Sequence, residues 1–224
     1  MARTYFITGT DTDVGKTVLT TLLIRHLRRV GAVVRAAKPI CSGGRDDART
    51  LHNALEGSMT LDEINPWHFT APIAPVLAAR RAGRKIVLAE VVQYLRNLRK
   101  ATETFLVEGA GGLLSPLGEN FSSLELIQEL RARPIIVCPN RLGAVNQVRL
   151  VLTALPPGLR KLAQVVLVSP ARHAAVARLN VDLLAEFLPP ERIHELPWLP
   201  GRSWRKAGIL PPKVRRCLDG VIAS

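Results

Sequence analysis

The sequence predicts an α/β fold: a mostly parallel sheet with helices on both faces. Three observations predict it. Apolar runs alternate with amphipathic segments along the whole chain. The runs are short and continuous, as strands buried on both faces must be. A glycine loop leaves the first run and opens directly into a helical pattern. Strands that alternate with helices are joined by crossovers, and crossovers make the sheet parallel.

The elements follow in order. Tyr5 to Ile7 reads as a buried strand. From Lys16 to Val30, Val18, Leu22, Leu23, Leu27 and Val30 recur at helical spacing, and Gly31 is the stop. Val33 to Ala37 reads as a strand and Asp46 to Leu55 as a short helix. Residues 65–75, rich in proline, carry no clear element. Leu88, Val91, Val92, Leu95 and Leu98 form one helical face. Thr104–Val107 is a strand, Leu124–Leu130 a helix, Pro134–Cys138 a strand and Ala144–Leu155 a helix. Val165–Val168 is a strand, Ala171–Leu188 a helix and Ile193–Leu196 a last strand. No composition shift divides the chain, so residues 1–224 are expected to form a single nucleotide-binding domain. The basic, proline-punctuated tail after about residue 200 is expected to be less ordered.

Composition narrows the function. The chain has 224 residues, 47% of them apolar, enough for one sizeable core. No apolar run approaches the roughly 18–20 residues of a membrane span, and no leader pattern precedes the first strand, so a cytoplasmic protein is expected. Cys41, Cys138 and Cys217 are far apart and odd in number, which suits neither a disulfide framework nor a zinc site. The net charge is +13, and 24 of the 31 basic residues are arginine. These arginines are spread along the chain, and aromatics are only 4%. Neither a basic stripe nor a stacking platform results, so nucleic acid is not the expected partner.

The chemistry is concentrated in a few places. Gly9 to Thr17 resembles a phosphate-binding loop, and this makes the fold P-loop NTPase-like. Thr10 stands where the strict pattern has its first glycine, and Gly9 is one place early. The Gly15-Lys16-Thr17 ending, set between strand and helix, carries the assignment. Helix-opening amides would face phosphate oxygens, Lys16 would bridge the terminal phosphates, and Thr17 would offer a hydroxyl to Mg2+. Glu108, before Gly109-Ala110-Gly111-Gly112, and Asp46 or Asp47 are the candidate carboxylates for Mg2+. A helix N-cap is the competing role for the two aspartates. Lys38 ends the second strand and would project toward the phosphates. All these features fall at strand carboxyl ends, where α/β sheets gather ligands.

Together these residues resemble the dethiobiotin synthase family. The match runs through Tyr5 to Thr17, Lys38-Pro39 with Ser42-Gly43, and Asp47-Ala48. It continues through Phe69 with Pro72 and Pro75, Val107 to Gly112, Leu142-Gly143 with Asn146, and Pro197-Trp198-Leu199. The tail after Arg202 has no match. The resemblance implies a ligase that takes 7,8-diaminononanoate, CO2 and ATP through a carbamate and a carbamic-phosphoric anhydride to dethiobiotin. It implies that Lys38 and Lys16 act on the moving charge, with Thr12 and Ser42 at the diamine. Thr17, Asp47 and Glu108 would hold Mg2+. Asp13, Val14, Gly15, Lys16, Thr17 and Val18, with Glu108, Gly109, Ala110 and Gly111, would line the triphosphate. Pro197, Trp198 and Leu199 would pack near the base. Leu142, Gly143 and Asn146 would serve a substrate carboxylate across a homodimer interface.

One departure stands out. Members carry an Asn-containing pair after the sixth strand to read the base, and here Ser169-Pro170 occupies that place. Proline has no backbone N–H. Weaker base discrimination is expected, with CTP or another nucleotide accepted beside ATP. The acid that members use on the ribose is also replaced, by the stretch ending Ser203-Trp204. Two alternatives share the loop and the sheet: a cobyrinate-type amide ligase, and a ParA-like DNA-associated ATPase.

Overall fold

The computed structural model describes residues 2–171, 175–201, 204 and 208–223. β1 (Arg3–Gly9) runs through the glycine loop into α1 (Lys16–Arg29). Next come β2 (Val34–Ala37), β3 (Ile40–Ser42), α2 (Asp46–Ala54), the one-turn α3 (Leu61–Ile64), β4 (Trp67–Phe69) and α4 (Pro75–Arg81). α5 (Leu88–Arg99), β5 (Thr104–Glu108), α6 (Ser123–Leu130), β6 (Arg133–Pro139), α7 (Ala144–Ala154) and α8 (Pro157–Leu162) follow. The chain then forms β7 (Gln164–Val168), α9 (Ala175–Ala185), a 3-10 turn (Pro190–Arg192), β8 (Ile193–Leu196) and α10 (Pro212–Ala223).

The main sheet has the order β2-β5-β1-β6-β7-β8, and every pair in it is parallel. This is the α/β, P-loop NTPase-like architecture that the alternation predicts. Tyr5, Phe6, Ile7 and Thr8 are all buried because β1 is central and both its faces are covered. Register positions the site. Ile7 pairs with Glu108 and Gly9 with Val137, so the loop after β1 and the acid ending β5 leave the sheet at one level. α1 opens at Gly15, which has φ 101° and no side-chain cap. Arg28 and Arg29 occupy its last turn, where positive charge is favourable at the negative end of the helix dipole. Among the described residues no helix is long and apolar enough to cross a membrane.

Three expectations change. Residues 212–223 of the expected loose tail form α10, with Val214, Cys217, Leu218 and Val221 buried. Tyr5 Oη donates to the Ile222 carbonyl at 2.9 Å, and His26 Nε2 meets Asp219 Oδ1 at 2.7 Å, which ties the end of the chain to its beginning. The helix expected over 171–188 spans Ala175–Ala185, and residues 172–174 lie outside the described set. The proline-rich stretch 65–75 holds β4, which pairs with β3 in a separate two-stranded parallel sheet.

Candidate active site

The loop geometry explains its irregular glycine. A Cβ on Gly9 would lie 2.6 Å from Val14 Cγ2, so the first glycine is needed one place earlier than the strict pattern puts it. Asp13 adopts φ 54° and Gly15 φ 101°, which turns the chain into α1. Lys16 is buried, and its ammonium donates to the Asp11 carbonyl at 2.7 Å across the loop. Burial, then repulsion from Lys38, push its pKa down to about 8.

Lys38 is the hub of the charged cluster. It is buried, donates to Glu108 Oε1 at 2.8 Å and also pairs with Asp47 Oδ2. Burial works against its charge, but the Glu108 and Asp47 carboxylates outweigh burial and hold its pKa above the ordinary lysine value. Burial likewise opposes ionisation of Asp47, and Lys38 overcomes it, so the Asp47 pKa is lowered. Thr17 Oγ1 donates to Glu108 Oε1 at 2.6 Å. The two aspartates point in different directions. Arg45 is the N-cap position of α2; Asp46 turns outward to Arg49 at 3.0 Å, and Asp47 turns inward to Lys38.

The donor set fits Mg2+. Two carboxylates and one hydroxyl suit a hard cation that keeps waters and phosphate oxygens as its other ligands. Glu108 is wholly buried, and its Oε2 has no hydrogen-bond partner. An acceptor left in that state is costly unless a cation or its water satisfies it. Among the described residues no group of three His, Cys, Asp or Glu side chains forms a metal cluster.

A cavity of about 820 Å³ opens beside this cluster. Of the residues singled out by sequence, Thr12, Asp13, Gly15, Lys16, Thr17, Val18, Lys38, Ser42, Asp47, Ala110 and Gly111 line it. Ser42 Oγ donates to the Ile73 carbonyl at 2.5 Å, which joins β3 to the proline-rich segment on the far wall.

A family model described as an AAA domain matches residues 3–206. An ATP-dependent dethiobiotin synthetase BioD from Anaeromyxobacter dehalogenans is 37% identical over 222 residues, 95% of this chain and 99% of that protein. A protein of the same name from Anaeromyxobacter sp. (strain Fw109-5) is 40% identical over 68% of this chain and 70% of its own length. The chain belongs to the dethiobiotin synthetase family. Among solved structures, the MinD cell division protein of Aquifex aeolicus superposes with a TM-score of 0.60 at 14% identity, covering 98% of this chain and 95% of that one. MinD of Pyrococcus horikoshii OT3, complexed with Mg-ADP, gives 0.58 at 15%, covering 99% and 94%. pNOB8 ParA gives 0.60 at 12%, covering 100% and 98%. These three show the fold alone.

Other positions of the dethiobiotin synthetase pattern lie outside the cavity lining. Val14 and Gly109 are buried behind the loop; a Cβ on Gly109 would meet Ser123 Oγ at 2.8 Å and Phe6 at 2.9 Å. Ser169, Pro170, Pro197 and Leu199 are half-buried, and Trp198 is 51% exposed. Leu142, Gly143 and Asn146 open α7 on the surface, Leu142 being 85% exposed. Sequence reasoning missed the supports. Asn65 is buried and donates to the Lys38 carbonyl at 2.7 Å; its Oδ1 accepts from Arg45 Nε at 3.2 Å and Cys41 Sγ at 3.2 Å. Ser115 Oγ accepts from the Gly112 amide at 2.9 Å. Neither residue belongs to a recognisable spacing.

Proposed function

We propose that this chain joins 7,8-diaminononanoate to CO2 with cleavage of ATP, closing the ureido ring of dethiobiotin. Its family gives the class, an ATP-dependent ligase. The observation that carries the reading is the Lys38–Glu108–Thr17–Asp47 cluster set beside a phosphate loop in one cavity of small-molecule size.

One amine of the substrate adds to CO2, loses a proton and becomes a carbamate. The carbamate oxygen takes the γ-phosphoryl group as ADP leaves. The second amine attacks the carbonyl carbon of that mixed anhydride, phosphate departs and the ring closes. The protein makes no covalent bond in this sequence; it positions groups and neutralises charge. Lys16 and Lys38 face the oxygens on which negative charge builds, and Thr12 and Ser42 hold the diamine or its carbamate. Thr17, Asp47 and Glu108 would hold Mg2+, which neutralises phosphate charge when bound. Asp13 to Val18 and Glu108 to Gly111 form the triphosphate cradle, and Pro197, Trp198 and Leu199 pack near the base.

Base discrimination is weak in this reading, with CTP and GTP accepted beside ATP. The Ser169 amide already donates to the Leu196 carbonyl at 2.9 Å, and Pro170 offers no N–H. A homodimer places the start of α7 at the partner's substrate carboxylate. Supporting this, α7 has no side-chain cap, and Leu142 and Leu150 are 85% and 62% exposed. Leu150 also borders a 360 Å³ hollow against Thr10 and Asp11 of the loop. The free, buried Cys41, Cys138 and Cys217 suit a reducing cytoplasm. The test is phosphate release with Mg2+, ATP and bicarbonate, with and without the diamine. Release that ignores the diamine points to a different carboxylate and overturns the reading.

A further inference from the structure

Trp204 lines the same cavity as Lys16, Thr17 and Val18. Its carbonyl accepts a hydrogen bond from Arg25 Nη1 at 2.6 Å. Arg25 stands seven residues after Val18, so the two share one face of α1, two turns or about 10 Å apart. The clasp therefore ties the Trp204 backbone to the helix that begins at the phosphate loop.

The reacting end of the cavity is marked by Lys38, Ser42 and Asp47. A triphosphate whose terminal phosphate lies there runs back across Lys16 and Thr17, and its nucleoside emerges beside Val18. Trp204, half-buried, belongs to the lining of this cavity, and its carbonyl is bound by Arg25 on the helix that carries Lys16, Thr17 and Val18. A flat indole face accepts any base, because every base has a π face. Ser169-Pro170 has no side-chain amide to grip a base edge in bidentate fashion, and its one backbone N–H is already used.

We propose that Trp204 is a nucleotide-binding residue, the aromatic wall on which the base stacks, with Arg25 as its positioning residue. The proposal rests on the reading above only in taking the ligand to be a nucleoside triphosphate. It predicts affinity without base selectivity.

The experiment compares wild type with W204A, W204L, W204F and R25A. It measures KM for ATP and CTP in the diamine reaction, and Kd for Mg·ADP by calorimetry. W204A and W204L are expected to raise KM for both nucleotides and Kd for Mg·ADP by about tenfold, with kcat nearly unchanged. W204F should stay close to wild type, since it keeps a π face. R25A should weaken binding in the same direction by a smaller factor. Leucine keeps much of the apolar bulk of the side chain without the ring, so it separates stacking from structural support if W204A is unstable. Wild-type Kd in W204L, or a Kd in W204F as weak as in W204L, overturns the proposal. Failure of the ligase reading looks different: wild type itself shows no diamine dependence, while the Mg·ADP titrations still decide on Trp204.

Discussion

Lys38 Nζ stands 2.8 Å from Glu108 Oε1, and both groups are buried at the carboxyl edge of the sheet. Each makes the other tolerable: an isolated buried carboxylate or ammonium would carry a desolvation cost of several kcal/mol. Lys38 therefore stays charged, held above the ordinary lysine value by its two carboxylates against the pull of burial. Removing it should have two effects. Lys38→Ala should lower kcat by about 10²–10³-fold, as loss of an oxyanion donor does. It should also destabilise the fold by about 3–5 kcal/mol, because Glu108 is left unpaired. Steady-state kinetics and thermal melts check both, and near-normal turnover would remove Lys38 from the catalytic group.

Thr17 links the loop to the same acid through its 2.6 Å bond to Glu108. Thr17→Val keeps the shape and removes the hydroxyl. The Mg2+ concentration for half-maximal activity should rise about tenfold or more. An unchanged Mg2+ titration would place the cation elsewhere.

Lys16 should make nucleotide affinity depend on pH. Its pKa is pushed down to about 8 by burial and then by Lys38, so the free protein loses this charge as pH rises through 8. Bound phosphate favours the charged form, so binding above pH 8 must take up a proton. Affinity for Mg·ADP should be level below pH 8 and fall above it. Calorimetry at pH 7, 8 and 9 in two buffers measures both the fall and the proton uptake. A flat profile would contradict this role for Lys16.

The Ser169-Pro170 pair predicts a broad nucleotide profile. kcat/KM for ATP, CTP and GTP should agree within about tenfold, whereas a site built to hydrogen-bond one substrate rejects analogues by about 10⁴-fold. A panel of nucleotides in the diamine reaction decides. Strong ATP selectivity would mean that another group reads the base edge.

Much of the architecture was legible in the sequence because burial on two faces leaves continuous apolar runs. The strands at Tyr5, Thr104, Pro134, Val165 and Ile193 all stand where those runs stand. β3 and β4 were not legible, since three residues have no period and proline interrupts the stretch. α10 left a signal, Val214, Cys217, Leu218 and Val221 at helical spacing, masked by the basic residues around it. The placement of Lys16, Thr17, Lys38 and Glu108 close together was readable because they end strands or begin a helix. The residues alone left Asp46 and Asp47 open; the family resemblance named Asp47, and the first turn of α2 directs Asp47, not Asp46, toward Lys38. Asn65 acts through one buried amide that reaches back 27 residues to Lys38, a contact that no local pattern encodes.

The most direct measurement is product formation from labelled bicarbonate. The protein would be incubated with Mg2+, ATP, 7,8-diaminononanoate and ¹³C-bicarbonate, and the product examined by mass spectrometry alongside phosphate release. The predicted result is dethiobiotin carrying a single labelled carbon, with one phosphate released per ring closed. Phosphate release without labelled product, or no release that depends on the diamine, would contradict the ring-closing role.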